Sequence, residues 1–323
     1  MSNWPEIDPA SALLFVINGA SGHHDANAVG ATIEAGLQAA GRTGEMLFAQ
    51  PDELPQLSRR AAATAKARRS AVVAVGGDGS INAVAQAAHA ETCPMGVLPM
   101  GTFNYFARTH GIPTEAGPAL HAVLNSAPRP VQVGAVNDRL FLVNASLGLY
   151  PDLLDDREAY KARFGRSRWV ALASVGATLL RERRQLRLRI ERDGALRDVR
   201  TPTLFIGNNR LQLEQVGVHL TSAMQAGRIT AVMLRPIGSL ALLWLLLRGA
   251  FGSLGEADDV ESFEFERMVV MPRLARGRRL MKVAFDGEVS WMRAPLAFSV
   301  SPRPLYLLKP PPDAAAGGPQ SVA

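Results

Sequence analysis

The stretch VAVGGDGSIN, Val73–Asn82, leaves a chain few ways to fold. It sits on an unbroken apolar run, Ala71–Val75, of the kind found in strands buried on both faces. Gly76, Gly77 and Gly79 then surround Asp78, and a helical pattern opens at Ser80. A buried strand that turns through glycines straight into a helix is a unit of a parallel α/β sheet. Such a turn lies at the carboxyl end of its strand, where open sheets bind ligands. Glycines let backbone N–H groups come close to a phosphate, and the helix N-terminus favours the anion. Asp78 would repel a bare phosphate, so its presence implies a magnesium ion between the two. The plain alternative is a strand–turn–helix connection with no ligand. The loop is not a Walker A sequence, because no GK[ST] follows, and the GxGxxG dinucleotide fingerprint is absent.

The flanking sequence repeats the same alternation. Leu13–Asn18 reads as a buried strand, Asn27–Ala40 as a helix, Glu45–Ala49 as a strand, Leu54–Arg69 as a helix, Ser80–His89 as the helix after the glycine loop, and Gly96–Leu98 as a further strand. The expected architecture is an α/β N-terminal domain over residues 1–130, a parallel sheet with helices on both faces. Past residue 130 the pattern changes. Val131–Val136 and Leu140–Ala145 flank Asn137-Asp138, and a helical stretch, Asp152–Arg183, follows. Short strands are then expected over Leu186–Arg192, Val199–Ile206, Val216–Leu220, Arg228–Leu234, Phe263–Met271, Leu280–Phe285 and Leu296–Val300, with hairpin turns at Asp193-Gly194 and Asp286-Gly287. Residues 131–309 therefore read as a mainly antiparallel β domain, and residues 310–323, rich in Pro, Ala and Gly, as a disordered tail.

With 323 residues the chain suits two domains, and 47% apolar against 20% charged residues is a globular balance. One cysteine, Cys93, excludes an internal disulfide and a cysteine-based zinc site. The six histidines form no zinc-binding spacing, and no GxSxG elbow is present. The net charge is +6, and only four of the 35 basic residues are lysines. That excess suits an anionic membrane or a phosphate ligand, or simply an arginine-rich wet surface. The arginine clusters Arg181–Arg189 and Arg273–Arg279 carry the same two readings. The most apolar run, Leu240–Leu247, is bounded by Pro236 and Arg248 and falls short of the ~20 residues a membrane span needs, so it is a buried or surface-lying helix. The opening MSNWPEIDPA does not read as a signal peptide. The expected setting is cytoplasmic, with peripheral contact to anionic membrane and no nucleic-acid partner. The oligomeric state stays open, a homodimer included.

Two further loops fall at the same sheet edge. LPMGTFNYFAR, Leu98–Arg108, places Gly101 and Thr102 after the next strand, with Asn104 as a candidate helix cap. INGASG, Ile17–Gly22, ends the first strand in small residues. These loops, together with GGDGS and the late FDGE (Phe285–Glu288), resemble the motifs of the diacylglycerol kinase and sphingosine kinase catalytic family, in its order and spacing, from about Leu13 to about Pro304.

The resemblance implies a domain like those of phosphofructokinases and NAD kinases, a C-terminal β-sandwich, ATP in the cleft between them, magnesium, and a lipid substrate such as diacylglycerol or a sphingoid base. It assigns nucleotide binding to Asn18, Ser21 and Gly22, to Gly76, Gly77, Asp78, Gly79, Ser80, Ile81 and Asn82, and to Thr102. It gives Asp78 the metal, places the acid pair on Asp286 and Glu288, and makes Glu288 the general base. VNASLGLYPDLL, Val143–Leu154, is similar to the start of the family's second domain. The chain departs from the pattern at Gly19, where proline is usual, at Ser80 for threonine, at Tyr105 for aspartate, and at Ala226, where relatives carry an aspartate that helps hold a structural magnesium. Two alternatives remain at this point: an NAD-kinase-like enzyme, and a nucleotide- or lipid-binding protein impaired in catalysis.

Overall fold

The computed structural model describes residues 4–19, 26–149, 151–152, 185–215, 227–236, 260–274 and 279–311. The chain divides into two compact units, the first holding Met1–Gln132 and everything from Pro302 onward, the second Val133–Ser301.

In the first unit, β1 (Leu13–Asn18), β2 (Gly44–Ala49), β3 (Val72–Gly76) and β4 (Met95–Pro99) are parallel. The sheet is completed by β5 (Pro128–Val131) and by β18 (Leu305–Leu308), in the order β2-β1-β3-β4-β18-β5. β5 is an edge strand and contains Pro128 and Pro130, which supply no N–H to a ladder and are tolerated at an edge. β3 and β4 are buried at every position because helices cover both faces. α1 (Ala26–Ala39) packs on α5 (Ala116–Leu124), and α2 (Leu54–Ala67) packs on α3 (Asp78–Glu91). The short α4 (Tyr105–Thr109) follows β4. α3 starts two residues before the expected Ser80, with Gly77 as its N-cap, so Asp78 belongs to the first helical turn.

The second unit is a sandwich of two six-stranded antiparallel sheets. One sheet comprises β6 (Gly134–Val136), β7 (Arg139–Phe141), β9 (Leu186–Arg192), β10 (Ala195–Thr201), β14 (Arg267–Pro272) and β17 (Leu296–Val300). The other comprises β8 (Asn144–Gly148), β11 (Thr203–Gly207), β12 (Ile229–Leu234), β13 (Val260–Phe265), β15 (Leu280–Phe285) and β16 (Glu288–Arg293). Their inner faces share one core around Phe141, Phe265, Phe285 and Phe298. A short helix, α6 (Arg210–Gln215), follows β11.

Several expected strands prove to be two. Val131–Val136 divides between β5 of the first unit and β6 of the second. Leu140–Ala145, Val199–Ile206 and Phe263–Met271 each break where the chain crosses from one sheet of the sandwich to the other. The single domain expected over 131–309 also stops early, because residues from Pro302 onward return to the first unit, where β18 pairs with β4 and β5. The expected features at Val216–Leu220, Leu240–Leu247 and residues 310–323, and all of Asp152–Arg183 but its first residue, lie outside the described residues, apart from Pro310 and Pro311. No helix among the described residues is long and apolar enough to cross a membrane.

Candidate functional site

β1, β3 and β4 end side by side at Asn18, Gly76 and Pro99, so three loops leave the carboxyl edge of the first sheet together. They are tied to one another. Asn18 Nδ2 donates to Ser80 Oγ at 2.9 Å, linking the first loop to the first turn of α3. Met100 N–H donates to the Gly76 carbonyl at 2.9 Å, linking the second loop to the third. A Cβ at Gly76 would lie 2.6 Å from Ser80 Oγ and 2.7 Å from Ser80 Cβ, so the chain reaches this turn only without a side chain there. At Gly101 a Cβ would lie 3.2 Å from Gly77 Cα, which brings the second and third loops into backbone contact. The first N–H groups of a helix have no partner within it, and at α3 this turn carries Asp78, Gly79 and Ser80.

Asn104 does not cap α4 through its side chain. It adopts φ +49° and folds back, Oδ1 accepting the Gly101 N–H at 3.0 Å and Nδ2 donating to the Gly101 carbonyl at 2.9 Å. This clasp presents Thr102 and Phe103 to solvent, with Phe103 stacked on Tyr105 at 5.6 Å between ring centroids. Of the residues expected at the nucleotide loops, Ile81 is fully buried and supports α3 as core. Asn82 is nearly buried and accepts from Gln86 Nε2 at 3.1 Å. Ser21 and Gly22 lie outside the described residues, as does Ala226.

In the second unit Asp286 and Gly287 form the turn between β15 and β16, both at positive φ, +48° and +86°, as a tight hairpin requires. Asp286 is buried, and its carboxylate gathers the backbone of the β7–β8 corner. Oδ2 accepts the Leu142 N–H at 2.7 Å, and Oδ1 accepts those of Val143 and Asn144 at 2.8 and 3.0 Å. The Asp286 N–H in turn donates to the Asn144 carbonyl at 3.0 Å. Glu288 opens β16 on the surface. Partial desolvation raises the pKa of its carboxyl, the Asp286 charge raises it further, and Arg139 opposes them. The two acids are thus unlike. One is consumed by backbone donors, and the other is exposed with its carboxyl pKa raised.

Nothing in the sequence pointed to the three-amide seat of Asp286. The same holds for the polar contacts beside it, Asn144 Nδ2 to Gln212 Oε1 at 2.9 Å and Asn208 Nδ2 to the Leu142 carbonyl at 3.2 Å. The arginine clusters follow the wet-strand reading where they are described. Along β9, Leu188 and Ile190 are buried while Arg187 and Arg189 are exposed, and Arg189 and Arg273 share Asp198 at 3.0 and 2.9 Å. No group of three or more His, Cys, Asp or Glu among the described residues is placed to hold a metal.

Residues 12–136 match the family model of the diacylglycerol kinase catalytic domain. Over 81 residues the chain is 46% identical to a protein of Pseudomonas putida named a probable lipid kinase, YegS-like, which is 24% of this chain and 27% of that one. Over 129 residues it is 36% identical to a diacylglycerol kinase of Bacillus subtilis, 39% of this chain and 42% of that one. These alignments span less than half of either relative. A solved diacylglycerol kinase of Bacillus anthracis superposes with a TM-score of 0.66 at 15% identity, covering 96% of this chain and 99% of that one. Another structure from that organism gives 0.71 at 17% identity, with the same coverage. The resemblance to the family expected from the motifs is therefore shown, as is the fold of an α/β unit followed by an antiparallel sandwich.

Proposed function

We propose that this chain, with its diacylglycerol-kinase-like catalytic unit, is an ATP-dependent kinase that phosphorylates a lipid hydroxyl. The observation that carries the reading is the division of labour between the two acids of the FDGE turn. Asp286 has its oxygens committed to three backbone N–H groups, which leaves Glu288, with a carboxyl pKa raised by desolvation and by Asp286, as the proton acceptor. The first unit supplies the other half of a phosphoryl transfer. The Gly76–Gly77 turn and the first turn of α3 offer backbone N–H groups to phosphate oxygens, and Thr102 adds a hydroxyl on the neighbouring loop. Asp78, one carboxylate in that turn, fits the way magnesium is commonly held, by one or two carboxylates together with substrate phosphates and water. Magnesium bound there would offset charge on the β- and γ-phosphate oxygens.

In the reaction so assigned, the acceptor hydroxyl oxygen bonds to the γ-phosphorus, the bond to the β–γ bridging oxygen breaks, and ADP leaves. The hydroxyl proton passes to Glu288, and Asp286 keeps the turn that carries Glu288 in place. Contact with anionic membrane belongs to the same proposal and rests on the net charge of +6. The test is incubation with γ-labelled ATP, magnesium and, in separate reactions, diacylglycerol, a sphingoid base, an isoprenoid alcohol and a total lipid extract. A labelled, organic-extractable product is expected. Label found only in NADP when NAD is supplied would overturn the reading in favour of an NAD kinase, and label in no acceptor would sink the kinase assignment itself.

A further inference from the structure

At the opposite end of the first sheet from the phosphate loops, a half-open cavity of about 450 Å³ lies under the N-terminal segment. Leu13, the first residue of β1, lines it, and the loops leave β1 past Asn18, roughly 17 Å further along the strand at ~3.3 Å per residue. The volume falls in the ~300–1,000 Å³ range of small-molecule sites. The wall is mixed: Trp4, Pro9, Leu13, Val123, Leu124 and Leu308 give its apolar part, and polar atoms make up nearly as much of it. Trp4, 41% exposed, is among the lining residues.

One cation interrupts that wall. Arg42 lines the cavity, and its Nε–H is buried with no hydrogen-bond acceptor among the described residues. A buried donor without an acceptor is disfavoured, and a carboxylate or phosphate oxygen would satisfy it by a charge-assisted bond. Glu6, the carboxylate that also lines the cavity, is paired with Arg69 at 3.3 Å and points its charge there. An arginine donor beside a group of apolar side chains calls for a ligand with both features. We propose that this cavity is a second ligand site, for a single-chain anionic amphiphile whose head group engages Arg42 and whose alkyl chain lies along Leu13, Val123 and Leu308. The proposal does not rest on the kinase reading, since none of its residues belongs to the phosphate loops or the acid turn.

The test is calorimetric titration of the full chain, below micelle-forming concentrations, with decanoate, decanol and acetate. Decanoate is expected to bind once per chain and at least about tenfold more tightly than either of the others, because only it presents head and tail together. Arg42→Gln should weaken decanoate by roughly tenfold, and Ser126→Phe, which adds bulk at a lining position, should do so without touching the cation. Saturating ATP and the Asp78→Asn variant should leave decanoate binding unchanged. Equal binding of acetate would reduce the site to a simple anion contact, and equal binding of decanol to an apolar slot. Either outcome overturns the proposal, as do absence of decanoate binding, full affinity in a folded Arg42→Gln, or displacement of decanoate by ATP.

Discussion

The two units put backbone and side chain to opposite uses. In the first, the candidate site is made mostly of main chain: glycines at 76, 77 and 101, the opening turn of α3, and an asparagine that clasps Gly101. In the second, main chain is the support and a side chain is the part proposed to work, since three amides hold Asp286 in the turn that leads to Glu288. A site built of backbone is damaged chiefly by adding atoms, and a site built of a carboxylate by removing charge. Asp78 is the exception within the first unit, the one carboxylate in a loop of glycines, and it gives the sharpest test of the contrast.

Asp78→Asn should therefore have the largest effect. It leaves the loop backbone intact but removes the charge proposed to hold magnesium, and kcat is expected to fall by about 10³-fold or more with little change in melting temperature. Wild-type turnover at saturating ATP and magnesium would show that backbone alone serves this unit. Glu288→Gln comes next, with kcat lowered by ~10²–10⁴-fold while the KM for ATP and thermal stability hold. A base must be ionised, so the wild-type rate should rise with pH through a midpoint above the usual ~4.3 of a glutamate, and the variant should lose that limb. A pH profile that is the same in both proteins would remove Glu288 from the reaction.

Asp286→Asn tests the support instead. An amide can turn only one acceptor oxygen toward the three N–H groups, so unfolding in urea should show a loss of ~1–3 kcal/mol. Because its negative charge helps raise the Glu288 pKa, the acidic limb should also move to lower pH. A variant as stable as wild type would mean that the corner does not depend on the carboxylate. The last test, read as a slope with pH, concerns the first unit away from its site. Burial, with Lys309 adding to it, pushes the pKa of His110 down to about 3. The unfolded imidazole takes up a proton below ~6.5 while the folded one stays neutral, so the unfolded state binds more protons in that window and stability falls as pH falls. His110's share of the slope should approach ~1.4 kcal/mol per pH unit and should be lost in His110→Leu, as followed by denaturant titration at several pH values.

Much of the first unit was legible because its strands are buried on both faces and stand out as apolar runs, Leu13–Asn18 and Ala71–Val75 above all. The sandwich was legible as a class but not strand by strand. An apolar alternation that crosses from one sheet to the other, as at Pro202 or Glu266, keeps its period and conceals the corner. Ala195–Asp198 of β10 left no apolar signal because that stretch is exposed, and β18 is only four residues long and lies among prolines. The glycine loops announced themselves by composition. The seat of Asp286 did not, since its partners are the main-chain amides of Leu142, Val143 and Asn144, and any residue but proline supplies an amide.

The place of β18 has a consequence for synthesis. It lies between β4 and β5, pairing Leu307 with Met95 and Leu305 with Val131, although the whole second unit intervenes in the chain. A ribosome delivers β1 to β5 long before it delivers residue 305, and until then β4 presents an open edge and β5 lacks its ladder. The nascent first unit must wait, with unpaired strand edges of the kind that invite misassociation, while the sandwich is translated. Chain order thus leaves the glycine loops on an incomplete sheet until β18 has left the exit tunnel.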